Sequence, residues 1–297
     1  MNEHADTMPK TTLEDRISSV SATAFITLFA RALETQTHSP ILSDPQAVTI
    51  VEKLRPHFAR SQRALEQQLA VGRIPPMVVV TMALRARRMD AYARDFLARH
   101  PGGVIVNLGC GLDTRFHRID DGRVVVYDLD LPAMIELKCT LLDQGERYRF
   151  IAASVLDFTW MERLDASMPH LFIAEGLFMY LREEEVKALV VELRRRFPGS
   201  ELVCEVFNRF WLRDPWKAWV DRKMQRQLGF SADATFHSGL EDSREMEQWA
   251  EGVRFLGDWS YFDDGEPKLG VFNLLRHVSF FRKIQWTVHY RLGKGGE

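Results

Sequence analysis

Only three of the 297 residues are cysteines, Cys110, Cys139 and Cys204, and none stands in a C-x-x-C or Cys/His spacing. A disulfide frame and a zinc site are thereby excluded as foundations of the fold, and reduced thiols in a cytoplasmic protein are expected. Long apolar runs are also missing. No stretch approaches the ~20 apolar residues of a membrane span, and no basic segment followed by an apolar core opens the chain, so neither anchor nor leader is expected. Charge of one sign is missing too: 39 basic residues stand against 41 acidic ones, a formal net charge of −2. A balanced surface has no overall attraction for a phosphate backbone, so nucleic acid is not an expected partner.

What is present suits a sizeable core, with 46% hydrophobic and 27% charged residues. Residues 1–16 are polar and read as a flexible tail. Residues 17–100 read as an N-terminal helical cap. Ile17, Val20, Ala24, Leu28 and Ala32 recur at helical spacing, His38-Ser39-Pro40 breaks the pattern, and Asp44-Pro45 suits a new helix start. A further helix is expected over 76–99, stopped by His100-Pro101-Gly102-Gly103.

Beyond residue 100 the period changes. Short apolar runs at 104–108, 124–129, 149–155, 171–174 and 201–207 alternate with helical segments, which predicts a doubly wound α/β sheet over 101–297. Glu183-Glu184-Glu185 and Arg194-Arg195-Arg196 complement the two ends of the clearest helix. A charged, tryptophan-rich stretch at about 208–267 reads as a helical insertion that caps the acceptor side, where Arg209, Arg213 or Lys217 can anchor an acid. Residues 285–292 alternate like a closing strand.

The strongest local signal is the run Val104-Ile105-Val106-Asn107-Leu108-Gly109-Cys110-Gly111-Leu112-Asp113-Thr114-Arg115. A buried strand feeding Gly-x-Gly lets the backbone approach a ligand closely, because a Cβ would collide with it. The next strand ends in Asp128-Leu129-Asp130, about 20 residues on, where a carboxylate can accept both hydroxyls of an adenosine ribose. Nicotinamide enzymes use the same arrangement, so an oxidoreductase on this sheet is the competing reading. Dinucleotide sites carry a third glycine where this chain has Thr114. S-adenosylmethionine has no pyrophosphate and fits that departure better.

These blocks, together with Ala30-Arg31-Ala32-Leu33-Glu34, Leu84-Arg85-Ala86-Arg87-Arg88-Met89-Asp90 and Ala174-Glu175-Gly176-Leu177-Phe178-Met179-Tyr180-Leu181, resemble the leucine carboxyl methyltransferase family, over roughly residues 20–210. The resemblance extends to a bacterial branch acting on polyketides. It implies a Rossmann-like class I methyltransferase that binds S-adenosylmethionine. It places Arg85 at the methionine carboxylate, Gly109, Cys110 and Gly111 along the cofactor, and Asp130 on the ribose. Asp128 either helps the ribose or caps the following turn. Asp157 is implied on the adenine side with Phe158 over the ring, a helix-start aspartate being the other reading of Asp157. Glu175 is implied on the cofactor side, and Tyr180 either faces the acceptor or packs in the core. Arg31 is implied near the cofactor, a surface arginine being the other reading.

Methyl transfer from a sulfonium is an in-line displacement, and a carboxylate acceptor is already ionised at neutral pH. Such a reaction needs positioning and water exclusion but no general base. The sequence has no evident His/Asp or Ser/His/Asp arrangement. Transfer to a carboxylate of a small polyketide-like or aromatic molecule is therefore expected. A phenolic acceptor would instead call for a base, with His38, His117, His170, His237 and His277 as candidates.

Overall fold

The computed structural model describes residues 12–20, 22–218, 220, 222 and 235–293. Thr12 opens helix α1 (Leu13–Ser18): its hydroxyl accepts the Asp15 N–H while the Asp15 carboxylate accepts the Thr12 N–H. This reciprocal cap makes residues 13–16 helical, where the sequence reading had a loose tail. Residues 1–11 of that tail lie outside the described residues. The chain then continues through α2 (Ala22–Thr35), α3 (Pro45–Arg60), α4 (Ala64–Ala70) and α5 (Pro76–Arg99). The expected start at Asp44-Pro45 holds, since the Asp44 carboxylate accepts the Ala47 N–H at 3.0 Å.

Seven strands follow: β1 (Val104–Leu108), β2 (Val125–Asp130), β3 (Tyr148–Ala152), β4 (His170–Ala174), β5 (Ser200–Phe207), β6 (Val253–Trp259) and β7 (Gln285–Leu292). They form one sheet in the order β3-β2-β1-β4-β5-β7-β6. The first five are parallel, β7 runs antiparallel to β5, and β6 runs antiparallel to β7. The tryptophan-rich segment is thus shorter than expected. Its 253–259 portion is a sheet strand rather than helical insertion, and its described remainder holds short 3-10 turns at Arg209–Leu212 and Glu245–Gln248 and α-helical residues at 216–218, 220 and 222.

Alternation along each strand divides the core. Ile105, Val126, Leu171, Ile173 and Val203 face one side, where they pack with α2, α3 and α5. Val104, Val106, Leu108, Phe172 and Leu202 face the other, against Val186, Leu189, Val190 and Leu193 of α6 (Glu183–Arg196). Full burial of each such side chain contributes about 1.5–3 kcal/mol. Met89, Ala93, Phe96 and Leu97 of α5 join the first layer directly, so a shared core crosses the division read at residue 100. Strand β1 has β2 on one side and β4 on the other, which opens a crevice at its carboxyl end.

Candidate active site

At that crevice Gly109 and Gly111 turn the chain out of β1 with φ of +63° and +49°. The positive φ favours glycine, and a Cβ at Gly109, 2.8 Å from Leu177 Cδ1, would also have to displace that side chain. The Gly111 N–H donates to Asp130 Oδ2 at 2.7 Å, and the Leu131 N–H donates to Oδ1 at 2.8 Å. Burial nonetheless raises the Asp130 carboxyl above its ordinary pKa, outweighing the two backbone donors.

Facing this turn is a chain of buried charges. Arg85, from α5, donates through Nε to Glu175 Oε1 at 2.8 Å and through Nη1 to Glu205 Oε2 at 3.0 Å. Arg115 donates to the other Glu175 oxygen, to Asp90 Oδ1 at 3.0 Å and to Asn107 Oδ1 at 2.7 Å, and it lies 2.7 Å from Asp113 Oδ2. Burial opposes ionisation of Glu175, but the Arg85 and Arg115 guanidinium groups prevail and hold its carboxyl below the usual range. Arg31 is anchored by Asp44 Oδ2 at 3.0 Å and by the Leu112 carbonyl at 2.9 Å. It is a buried residue, not a surface arginine.

Arg31, Arg85, Gly109, Cys110, Gly111, Asp130, Glu175 and Tyr180 all line one cleft of about 410 Å³. That size falls within the range of small-molecule sites. Three of the residues implied for the cofactor fall elsewhere. Asp128 shares a face with Asp130 but sits two residues deeper in β2, opposite Asn107. There it accepts from Asn107 Nδ2 at 2.6 Å and Tyr148 OH at 2.7 Å and pairs with Lys138, which corrects both the ribose and the turn-cap readings. Asp157 caps a 3-10 turn by accepting from Thr159 N and Oγ1, and Phe158 packs against the second core layer. Neither lines the cleft. Arg209 and Arg213 are committed to Glu183 with Glu245 and to Glu241, and Lys217 to the Phe236 carbonyl.

The sequence reading missed Arg115, Asn107 and Asp113 as cleft residues, although they belong to the run it singled out. An Asp-x-Arg pair directly after the glycine turn was the available signal. Phe236 and Gln285, which also line the cleft, carry no local motif.

The family model for leucine carboxyl methyltransferase matches residues 24–193. The chain belongs to the leucine carboxyl methyltransferase family. As a methyltransferase of this family it resembles tetracenomycin polyketide synthesis O-methyltransferase TcmP of Streptomyces glaucescens, at 32% identity over 84% of this chain and 85% of that protein. It also resembles the S-adenosyl-L-methionine-dependent methyltransferase dpfgK of Gibberella zeae, at 27% identity over 94% of each chain. Among solved structures, a DUF574 family protein of Streptomyces avermitilis superposes with a TM-score of 0.55 at 13% identity, covering 93% of this chain and 99% of the other. A structure from Thermobifida fusca gives 0.54 at 18% identity, covering 83% and 94%. These last two speak for the fold, a Rossmann-like class I methyltransferase sheet.

Proposed function

We propose that this methyltransferase esterifies a carboxylate on a small, largely apolar acceptor. The methyl donor is S-adenosylmethionine, which in its bound state supplies a methyl group on a positively charged sulfur. The observation that carries the reading is the convergence of the glycine turn, Asp130 and Arg85 on one cleft.

The residues present suit that donor. Gly109 and Gly111 leave room for close approach, and each Asp130 oxygen, already holding one backbone N–H, has a lone pair left for a ribose hydroxyl. Arg85 and Glu175 set a cation beside an anion, which matches the carboxylate and ammonium of an amino-acid tail.

The cleft lining also includes the apolar side chains Val78, Met82, Met179 and Phe236 and the Tyr180 ring, to which we assign the acceptor. Phe236 comes from the late, tryptophan-rich segment, to which we assign acceptor selection. No histidine stands among the described residues lining the cleft, and burial pushes the Tyr180 phenol up to about 12, so it keeps its proton at neutral pH. An acceptor that is already an anion needs no base. Holding it in line in a dry cleft then supplies the catalysis, for which orientation is worth up to ~7–11 kcal/mol.

The test uses methyl-labelled S-adenosylmethionine and a panel of aromatic carboxylic acids and phenols. A labelled product that releases methanol in mild alkali supports the reading. An alkali-stable product would move the reaction to a phenolic oxygen. Calorimetric binding of NAD without binding of S-adenosylhomocysteine would overturn the donor assignment as well.

A further inference from the structure

Glu205, on β5, is the carboxylate that fixes the far end of Arg85, and its other partners come from distant parts of the chain. Its Oε1 accepts the Tyr261 hydroxyl and Gln285 Nε2, the latter at 2.7 Å, while Oε2 accepts Arg85 Nη1 at 3.0 Å. Glu205 and Tyr261 are both buried, at 1% and 9% exposure. Tyr261 follows β6 and Gln285 opens β7, so both lie outside the 24–193 stretch that carries the family pattern. Gln285 also lines the cleft.

We propose that Glu205, Tyr261 and Gln285 are positioning residues that set the Arg85 guanidinium for the amino-acid tail of the methyl donor. The proposal rests on the donor assignment above. A guanidinium is planar and has five N–H groups in a fixed fork. Glu175 on Nε and Glu205 on Nη1 together fix both its place and its plane. Tyr261 and Gln285 divide the Glu205 charge among three donors. Without the phenol hydroxyl, Glu205 draws harder on Arg85 and tilts it away from the tail. An acceptor lodged against Gln285 also touches the group that holds Arg85, which links the two ends of the cleft.

The experiment is a double-mutant cycle on the full chain with Tyr261→Phe, Glu205→Gln and the pair, reading S-adenosylhomocysteine affinity by calorimetry and melting temperature in parallel. Tyr261→Phe keeps the ring and removes one hydroxyl. It is expected to weaken binding about fivefold and Glu205→Gln about tenfold or more, with the pair no worse than Glu205→Gln alone. In turnover assays with saturating acceptor, the KM for the donor should rise while kcat changes less than about twofold. Losses that add up in the pair, or a fall in melting temperature with unchanged affinity in both single variants, would overturn the positioning role. Failure of the wild-type protein itself to bind S-adenosylhomocysteine would remove the donor assignment, and this proposal with it.

Discussion

The backbone N–H of Gly111 donates to the Asp130 carboxylate at 2.7 Å, tying the loop after the first strand to the end of the second. Because burial raises the Asp130 pKa, its ionised form is less favoured in the folded chain than in the unfolded one. The sign follows: stability from this group is present at acid pH and lost as pH rises through the folded value. Asp130→Asn removes this desolvated charge but turns an amide NH2 towards one of the two backbone N–H donors, so it is expected to melt no higher than the wild type at neutral pH. It should also bind S-adenosylhomocysteine at least about tenfold more weakly, through loss of charge-assisted contacts. Calorimetry and thermal melting check both halves, and unchanged affinity would refute the ribose role.

Arg115 is 1% exposed and touches Asp90, Asp113 and Glu175 together. Its removal takes one counter-charge from each of three carboxylates, leaving Asp90 and Asp113 to Arg118 and Glu175 to Arg85. Arg115→Ala should cost about 3–5 kcal/mol of stability, the usual penalty for breaking a buried ion pair, measured by urea denaturation. A loss below about 1 kcal/mol would mean that water reaches the cluster.

The Tyr180 phenol, pushed up to about 12 by burial, does not titrate in the physiological range. For a carboxylate acceptor kcat/KM should stay flat between about pH 7 and 9, since neither acceptor nor enzyme needs to lose a proton. A steady tenfold rise per pH unit over that range would mark a phenol acceptor of pKa about 10.

Away from the cleft, Glu201 on β5 accepts from both terminal nitrogens of Arg99, at 2.6 and 2.9 Å, and faces His289 Nε2 at 2.8 Å. Burial opposes its ionisation, but Arg99 and His289 prevail and bring its pKa down from 4.5 to about 2. A depressed folded value gives stability that is present above about 4.5 and lost as pH falls towards 2. Glu201→Gln should therefore cost on the order of 3 kcal/mol at pH 7. The gap from the wild type should close over that acid interval in a series of chemical denaturation curves.

The sheet was largely legible because its strands are short, apolar and bounded by glycine, proline or charge. Val104–Leu108 and Gln285–Leu292 coincide with the sequence reading. The exception is Val253–Trp259, an edge strand whose Arg254, Gly257 and Asp258 give it no apolar run. Gly109, Gly111 and Asp130 were legible in the site because their spacing is local. Asp128 was misread because two acids on one face of a strand look alike until depth is known. Glu205, Tyr261 and Gln285 were out of reach, since their meeting is set by the antiparallel pairing of β7 with β5.

That pairing has a practical consequence for rebuilding the molecule. Phe207 and Gln285 are register partners, so β5 ends and β7 begins side by side, while β6, which lies between them in the chain, pairs with the other side of β7. Chimeras that trade the stretch from Arg209 to Ser260 with a relative begin and end close to residues that hold Arg85. A graft with its joints between Glu205 and Arg209 and between Ser260 and Tyr261 exchanges Phe236 and strand β6 but keeps Glu205, Tyr261 and Gln285. Joints placed outside Glu205 or Gln285 exchange both sets at once.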